Sequence, residues 1–132
     1  MKNIFALGLF LASILAIPGF SWAESIIVSA PTLAKDYANN ELAADKKYRG
    51  KGGLTIHGTV DSVQRTFGQI QILLKGQNMF NFVYINLNKG EADIASELEK
   101  GHEISVRCDD VLNIAGFVHA SGCGELEPPW AD

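Results

Sequence analysis

A hydrophobic pattern with a period of two residues dominates the second half of the chain. Over residues 54–60 apolar side chains alternate with polar ones, as in a strand that buries one face. The alternation returns in four later segments, residues 69–75, 79–87, 103–108 and 117–123. Before the fourth segment, Ile94 and Leu98 stand four residues apart and Gly101 follows, which is typical of one short helix. We therefore expect five strands with a helix between the third and the fourth.

A longer helix is predicted ahead of the strands, over residues 32–48. Thr32 suits the N-cap, and Gly50 suits the left-handed position after the last turn. Asn39 and Asn40 are poor helix formers in its middle, so a break there is the alternative. This order of elements predicts a mainly β, α+β fold, a five-stranded OB barrel with an N-terminal helix. A β-sandwich would need about seven strands and no helix in the middle.

The first residues have the features of an export signal. Lys2 precedes an uncharged apolar run over residues 4–17, and Ser21 and Ala23 place small residues before a cleavage site. The run is shorter than the roughly 20 apolar residues of a membrane-spanning helix, which is the alternative. We expect a periplasmic or secreted protein. Its predicted segments are a signal peptide (residues 1–23), a polar lead (24–31), an OB domain (32–126) and a flexible tail (127–132).

The charge balance of the exported part is acidic. Removal of the signal peptide, whose single charged residue is Lys2, leaves 10 basic against 15 acidic side chains, a net charge of −5. Proteins that bind nucleic acids gain much of their affinity by neutralising phosphates. The composition therefore disfavours a nucleic-acid partner without excluding a local basic groove.

Two cysteines, Cys108 and Cys123, lie in the exported part. In an oxidising compartment the simplest expectation is one disulfide. A metal pair or a redox pair is the alternative, but further ligands at metal-site spacing and a Cys-x-x-Cys motif are missing from the sequence.

The segment before the first strand resembles a known family. Secreted bacterial OB-fold proteins classed as tRNA-anticodon-domain-like (tRNA_anti-like) carry the signature Tyr-x-x-Asn-Glu-x-x-Ala-Asp-x-x-Tyr-x-Gly-Lys. The chain matches it in register at Tyr37, Asn40, Glu41, Ala44, Asp45, Tyr48, Gly50 and Lys51. The closing half of the chain, with its two cysteines, is also similar to that family. The resemblance implies an OB fold and export, and it carries over no catalytic residue.

OB barrels bind ligands on the face of strands 2 and 3 and on the neighbouring loops. That rule gives seven tentative ligand-binding residues: Arg65, Phe67, Gln69, Gln71, Phe80, Phe82 and Tyr84. The three aromatic residues of the third strand share one face. They form an exposed stacking platform if the aliphatic residues face the core, and they are core residues in the opposite orientation.

A second candidate is a dense basic segment, a tentative anion-binding site at Lys46, Lys47, Arg49 and Lys51. The alternative is a solvated helix end that complements the helix dipole. The three histidines, His57, His102 and His119, show no metal-site spacing, and no catalytic motif stands out, so we expect no metal, no cofactor and no enzymatic activity.

Together these features predict an exported, non-enzymatic OB-fold binding module of the cell envelope. We expect it to bind a protein or another envelope component. The alternative ligands are an oligosaccharide or single-stranded nucleic acid on the strand 2 and 3 face.

Overall fold

A computed structural model describes residues 25–131 of the chain. In chain order its elements are β1 (Ile26–Ser29), α1 (Ala30–Asn39), α2 (Glu41–Tyr48), β2 (Leu54–Thr66), β3 (Gln69–Lys75), β4 (Phe82–Leu87), a 3-10 turn (Lys89–Glu91), α3 (Ala92–Ala95), β5 (Glu103–Cys108), β6 (Asp110–Ile114) and β7 (Phe117–Glu127). The predicted signal peptide lies outside the described residues.

Five of the strands close into a ring in the order β2, β3, β4, β7 and β5, with β5 pairing back onto β2. The contact between β4 and β7 is parallel and the other four are antiparallel. The first half of β2 pairs with β5 and its second half with β3, and the register shifts between Val60 and Ser62. Such a bulge bends a strand so that it can serve both sides of a barrel. The ring confirms the predicted OB fold.

The sheet has seven strands rather than the predicted five. β1 lies in the segment predicted to be a polar lead and pairs in parallel with β2. β6 lies between the fourth and fifth predicted strands, where no strand was expected, and forms a hairpin with β7. β1 and β6 are four or five residues long, too short for alternation to stand out. The helix expected over residues 32–48 is divided at Asn40, and its N-cap is Ser29, whose hydroxyl accepts a hydrogen bond from the Thr32 amide at 3.2 Å.

The family signature forms the junction of α1 and α2. Asn40 is in extended conformation, with φ −163°, and its side chain accepts the Ala43 amide at 3.0 Å, which caps α2. The Tyr37 hydroxyl of α1 donates to the Asp45 carboxylate of α2 at 2.8 Å. The Tyr48 hydroxyl of α2 donates back to Asp36 of α1 at 2.6 Å. The signature therefore forms a helical corner with two reciprocal hydrogen bonds, and the acceptor of one of them, Asp36, lies just before the signature.

The core lies inside the barrel and beneath α1. A Cβ placed on Gly58 of β2 would lie 3.0 Å from the Cβ of Ala30, so a glycine here lets α1 approach the barrel closely. Cys108 and Cys123 are fully buried and form the predicted disulfide, with the sulfur atoms 2.09 Å apart, which joins β5 to β7.

Within residues 25–131, no helix has the length and apolar character needed to cross a membrane.

Candidate functional site

The aromatic residues of β4 lie on the outside of the barrel. Val83, Ile85 and Leu87 are buried in the core, and the alternation of the strand places Phe82 and Tyr84 on the opposite, half-buried face. Of the two orientations that the sequence left open, the structure therefore shows the one that presents aromatic rings outward.

Phe80 does not share this face, because β4 begins at Phe82 and not at residue 79. The preceding residues form a turn in which the Gly76 amide donates to the Asn81 carbonyl at 2.7 Å and the Phe80 amide donates to the Asn78 side chain at 2.9 Å. Phe80 and Met79 are consequently exposed at the tip of the β3–β4 connection. Asn78 and Asn81, which favour turns, are the sequence signal that indicates this break.

The parallel pairing of β4 with β7 adds further rings to the face. Tyr84 stands beside His119, and the two rings stack with centroids 4.7 Å apart and planes 14° apart. The Phe117 ring lies edge-on to the Tyr84 ring, with centroids 5.9 Å apart and planes at 82°. Beyond β7, the exposed aliphatic residues Leu112 and Ile114 of β6 pair with His119 and Phe117. We call the set Phe82, Tyr84, Leu112, Ile114, Phe117 and His119 the aromatic face.

Four of these six residues were missing from the sequence-derived site. The β4–β7 pairing brings together residues that are 35 or 36 positions apart in the chain, and a local sequence pattern does not show which strands are neighbours. The available signal was the alternation after Phe117, where buried Val118 and Ala120 flank His119 and imply that it points outward.

A row of side-chain amides runs beside the aromatic face. Gln64 donates to Gln71 at 2.9 Å, Gln71 donates to Asn86 at 2.8 Å, and Asn86 donates to the Ala120 carbonyl at 3.1 Å. Gln71, which is 8% exposed, is the central member. These amides satisfy one another, so the predicted ligand residue Gln71 has a structural role in joining four strands.

The aromatic face carries little charge. Among the described residues that point outward from β3, β4, β6 and the segment 117–121 of β7, the charged side chains are Lys75 and Asp110, at opposite ends. Glu125 and Glu127 are exposed farther along β7. Burial lowers the pKa of His119 below its usual 6.5, which favours the neutral imidazole. The surface is therefore suited to stacking and apolar contact rather than to contacts with phosphates.

Three other predicted ligand residues lie together at the β2–β3 turn. Arg65, Phe67 and Gln69 line a pocket of about 520 Å³, whose other side is formed by Leu87, Lys89 and Ala92. The Gln69 side chain donates to the Leu87 carbonyl at 2.7 Å, which joins the turn to the end of β4. This pocket and the aromatic face share no residue.

Part of the predicted basic segment is paired with carboxylates of the helical corner. Lys47 lies 3.4 Å from Asp36 and Arg49 lies 4.0 Å from Asp45. The Lys47 ammonium also lies 5.4 Å from the centre of the Tyr48 ring. Lys46 and Lys51 are exposed at the surface. The arrangement favours the helix-end interpretation for Lys47 and Arg49.

The fold is similar to that of 87 chains among the solved structures. A candidate nucleic acid-binding lipoprotein from Klebsiella pneumoniae has a TM-score of 0.59 and 12% identity, over 76% of this chain and 90% of that one. A candidate aspartyl-tRNA synthetase from Leishmania major has a TM-score of 0.56 and 7% identity, over 86% of this chain and 22% of that one. An OBody bound to hen egg-white lysozyme has a TM-score of 0.50 and 12% identity, over 65% of this chain and 88% of that one.

In three other matched structures this chain spans from 19% to 57% of the matched chain's length. No curated protein sequence matches the chain significantly. A sequence model of the tRNA_anti-like family, however, matches residues 13–119. The match covers most of the chain and includes the helical corner and the barrel strands as far as the start of β7, and the protein therefore belongs to the tRNA_anti-like family of OB-fold proteins.

Proposed function

We propose that this protein is an exported, non-enzymatic OB-fold module of the cell envelope that binds a protein partner through the aromatic face. The observation that carries the proposal is the solvent-accessible group of four rings and two aliphatic side chains. Ile114 is 48% exposed, and Leu112 and Phe117 are each 40% exposed. Aromatic residues at the centre of a patch with few charges are typical of protein interfaces.

The chemistry of the face favours a protein over a sugar or a nucleic acid. Oligosaccharides are bound through polar groups that are free to hydrogen-bond, whereas the amides beside this face are engaged with one another. Single-stranded nucleic acids are bound by rings together with a positively charged groove. The positive charge of Lys75 at this face is balanced by the negative charge of Asp110, and the net charge of the whole chain is acidic. The OBody bound to lysozyme is an example of this fold in contact with a protein.

Single-stranded nucleic acid remains the second candidate because of one geometric feature. The parallel Tyr84 and His119 rings form the kind of surface on which a base can stack. The similar structure from Klebsiella pneumoniae is described as nucleic acid-binding, which agrees with this alternative.

The export part of the proposal is supported by the signal-like first residues and by a buried disulfide. Detection of the processed chain in a periplasmic or culture fraction, with a mass that fits cleavage near residue 23, tests it. A full-length chain in the cytoplasm would overturn it.

Site-specific photo-crosslinking tests the partner. A photoreactive amino acid at Ile114 should give a discrete adduct in producing cells, and the adduct should be digested by protease and resist nuclease. The same amino acid at Leu42, which is 78% exposed on α2, is the matched control. In the Ile114 background, Tyr84→Ala should weaken the adduct, since it removes the ring at the centre of the face.

Titration with single-stranded oligonucleotides at low and moderate salt separates the two candidates. Salt-sensitive binding that is lost in Tyr84→Ala would replace the protein partner with nucleic acid. Equal labelling from Leu42 and Ile114 would overturn the assignment of the face.

A further inference from the structure

The turn between β2 and β3 contains an aromatic residue in a backbone conformation that is unfavourable for it. Phe67 has a φ of +52°, in the left-handed region, and Gly68 after it has a φ of +79°. Asn and Gly are the residues that adopt the left-handed conformation readily, and an aromatic residue pays a steric cost there. Phe67 is nevertheless fully exposed, at 103%, so packing within the described chain gives no compensation. The requirements of the turn therefore do not explain a phenylalanine.

Beside Phe67 lies the pocket of about 520 Å³ described above, which we call the turn pocket and define by Arg65, Phe67, Gln69, Ile70, Leu87, Lys89 and Ala92. Strand register places Arg65, Ile70 and Leu87 in one row across β2, β3 and β4. Ile70, Leu87 and Ala92 provide an apolar floor. The Gln69 side chain donates a hydrogen bond to the Leu87 carbonyl, which joins the turn to this floor.

The charged groups of the turn pocket are both cations. Arg65 and Lys89 line it from opposite sides, one from the end of β2 and one from the 3-10 turn. Within residues 25–131 neither forms an ion pair with a carboxylate, and no carboxylate lines the pocket. This local positive charge contrasts with the acidic balance of the whole chain.

We propose that the turn pocket binds a small ligand made of a planar ring and a phosphate group. The ring stacks on Phe67 over the apolar floor, and the phosphate contacts Arg65 and Lys89. Guanidinium and ammonium groups are the side chains that bind phosphate oxygens best, and an exposed phenyl ring is a stacking surface for any flat ring. The site is separate from the aromatic face, and either assignment can fail without the other.

NMR titration of the isotope-labelled protein tests the proposal, with adenosine monophosphate, ribose 5-phosphate and adenosine as probes. Adenosine monophosphate should shift amide signals at residues 65–70 and 87–92. Ribose 5-phosphate, which lacks the ring, and adenosine, which lacks the phosphate, should each bind at least about tenfold more weakly. A short oligonucleotide with a 5′ phosphate distinguishes a free ligand from the end of a strand. Binding of either the monophosphate or the oligonucleotide end, with contributions from both the ring and the phosphate, supports the site.

Phe67→Asn is the most informative variant. Asparagine suits the left-handed conformation, so this variant should unfold at a higher temperature than the wild type while its affinity for adenosine monophosphate falls about tenfold. Phe80→Ala, at another exposed ring, in the β3–β4 turn, is the control and should leave affinity unchanged. Lys89→Gln should weaken binding about three- to tenfold at low salt, whereas Lys35→Gln, at an exposed lysine of α1, should not.

Three results would overturn the proposal. These are the absence of shifts in the turn pocket at millimolar adenosine monophosphate, equal binding of adenosine and its monophosphate, and undiminished affinity in Phe67→Asn. A Phe67→Asn variant that is more stable and no longer binds would establish that Phe67 is retained for the ligand.

Discussion

Tyr84 on β4 and His119 on β7 stack face to face, 4.7 Å between ring centres and 14° from parallel, on the outside of the barrel. The contact depends on the parallel pairing that closes the ring of strands, so it exists only when the fold is complete. It places a titratable ring at the centre of an otherwise apolar surface.

The first prediction concerns acid sensitivity. Because burial lowers the pKa of His119 below 6.5, the unfolded chain binds a proton more readily than the folded one. The stability due to neutral His119 is therefore complete above about pH 6.5 and is lost as the pH falls through the lowered pKa. Between pH 7.5 and pH 5, the free energy of unfolding measured with urea should fall less in His119→Phe than in the wild type. His57→Gln, at an exposed histidine, is the control, and equal losses in all three proteins would contradict the prediction.

The second prediction concerns alkaline stability. Burial, together with the hydrogen bonds to Asp45 and Asp36, raises the pKa of Tyr37 and Tyr48 above the usual 10.0. From about pH 10 upward the unfolded chain releases these protons first, so the free energy of unfolding falls as pH rises.

Urea midpoints between pH 9 and pH 11 measure this effect. The double variant Tyr37→Phe/Tyr48→Phe should be less stable at pH 8, by about 1 kcal/mol for each lost hydrogen bond, and should show a shallower alkaline decline. Lysine residues titrate in the same range in both proteins, so the difference between the two curves isolates the tyrosines. Parallel curves would refute the prediction.

The third prediction assigns a structural role to the family signature. Asn40→Ala removes the side chain that caps α2 and should cost about 1 kcal/mol of unfolding free energy. Asn39→Ala, one residue earlier at the end of α1, is the control and should change stability little. Chemical denaturation of the two variants measures the difference, and an Asn40→Ala protein as stable as Asn39→Ala would show that the cap is unimportant.

The fourth prediction concerns the disulfide. Cys108→Ala/Cys123→Ala should lower the free energy of unfolding by about 3 kcal/mol, the value expected for a closed loop of 15 residues. Thermal unfolding of the wild type and the double variant, with and without reductant, measures the loss. A thiol assay on unreduced, denatured wild type should find no free thiol, and two free thiols would exclude the bond.

Local patterns predicted the barrel well. The alternation at β2, β3, β5 and β7 is a consequence of burying one face of each strand, and it can be read without knowing the neighbours. One helix was predicted over residues 32–48, and the observed break at Asn40 agrees with the alternative that two consecutive asparagines suggested. β1 escaped notice because four residues are too few for a period to show, and β6 because it extends a hairpin into a segment that looks like a loop.

The sequence by itself determined that the strands bury aliphatic side chains inside a ring and that Phe82 and Tyr84 share one side of β4. Tertiary structure alone decided which side that was, which strand lies beside it, and that Phe80 belongs to a turn. The physical reason is that strand pairing brings together residues far apart in the chain. The rings of Phe117 and His119 lie beside Tyr84 because the backbones of β4 and β7 are hydrogen-bonded, and the local sequence pattern does not indicate that these two strands pair.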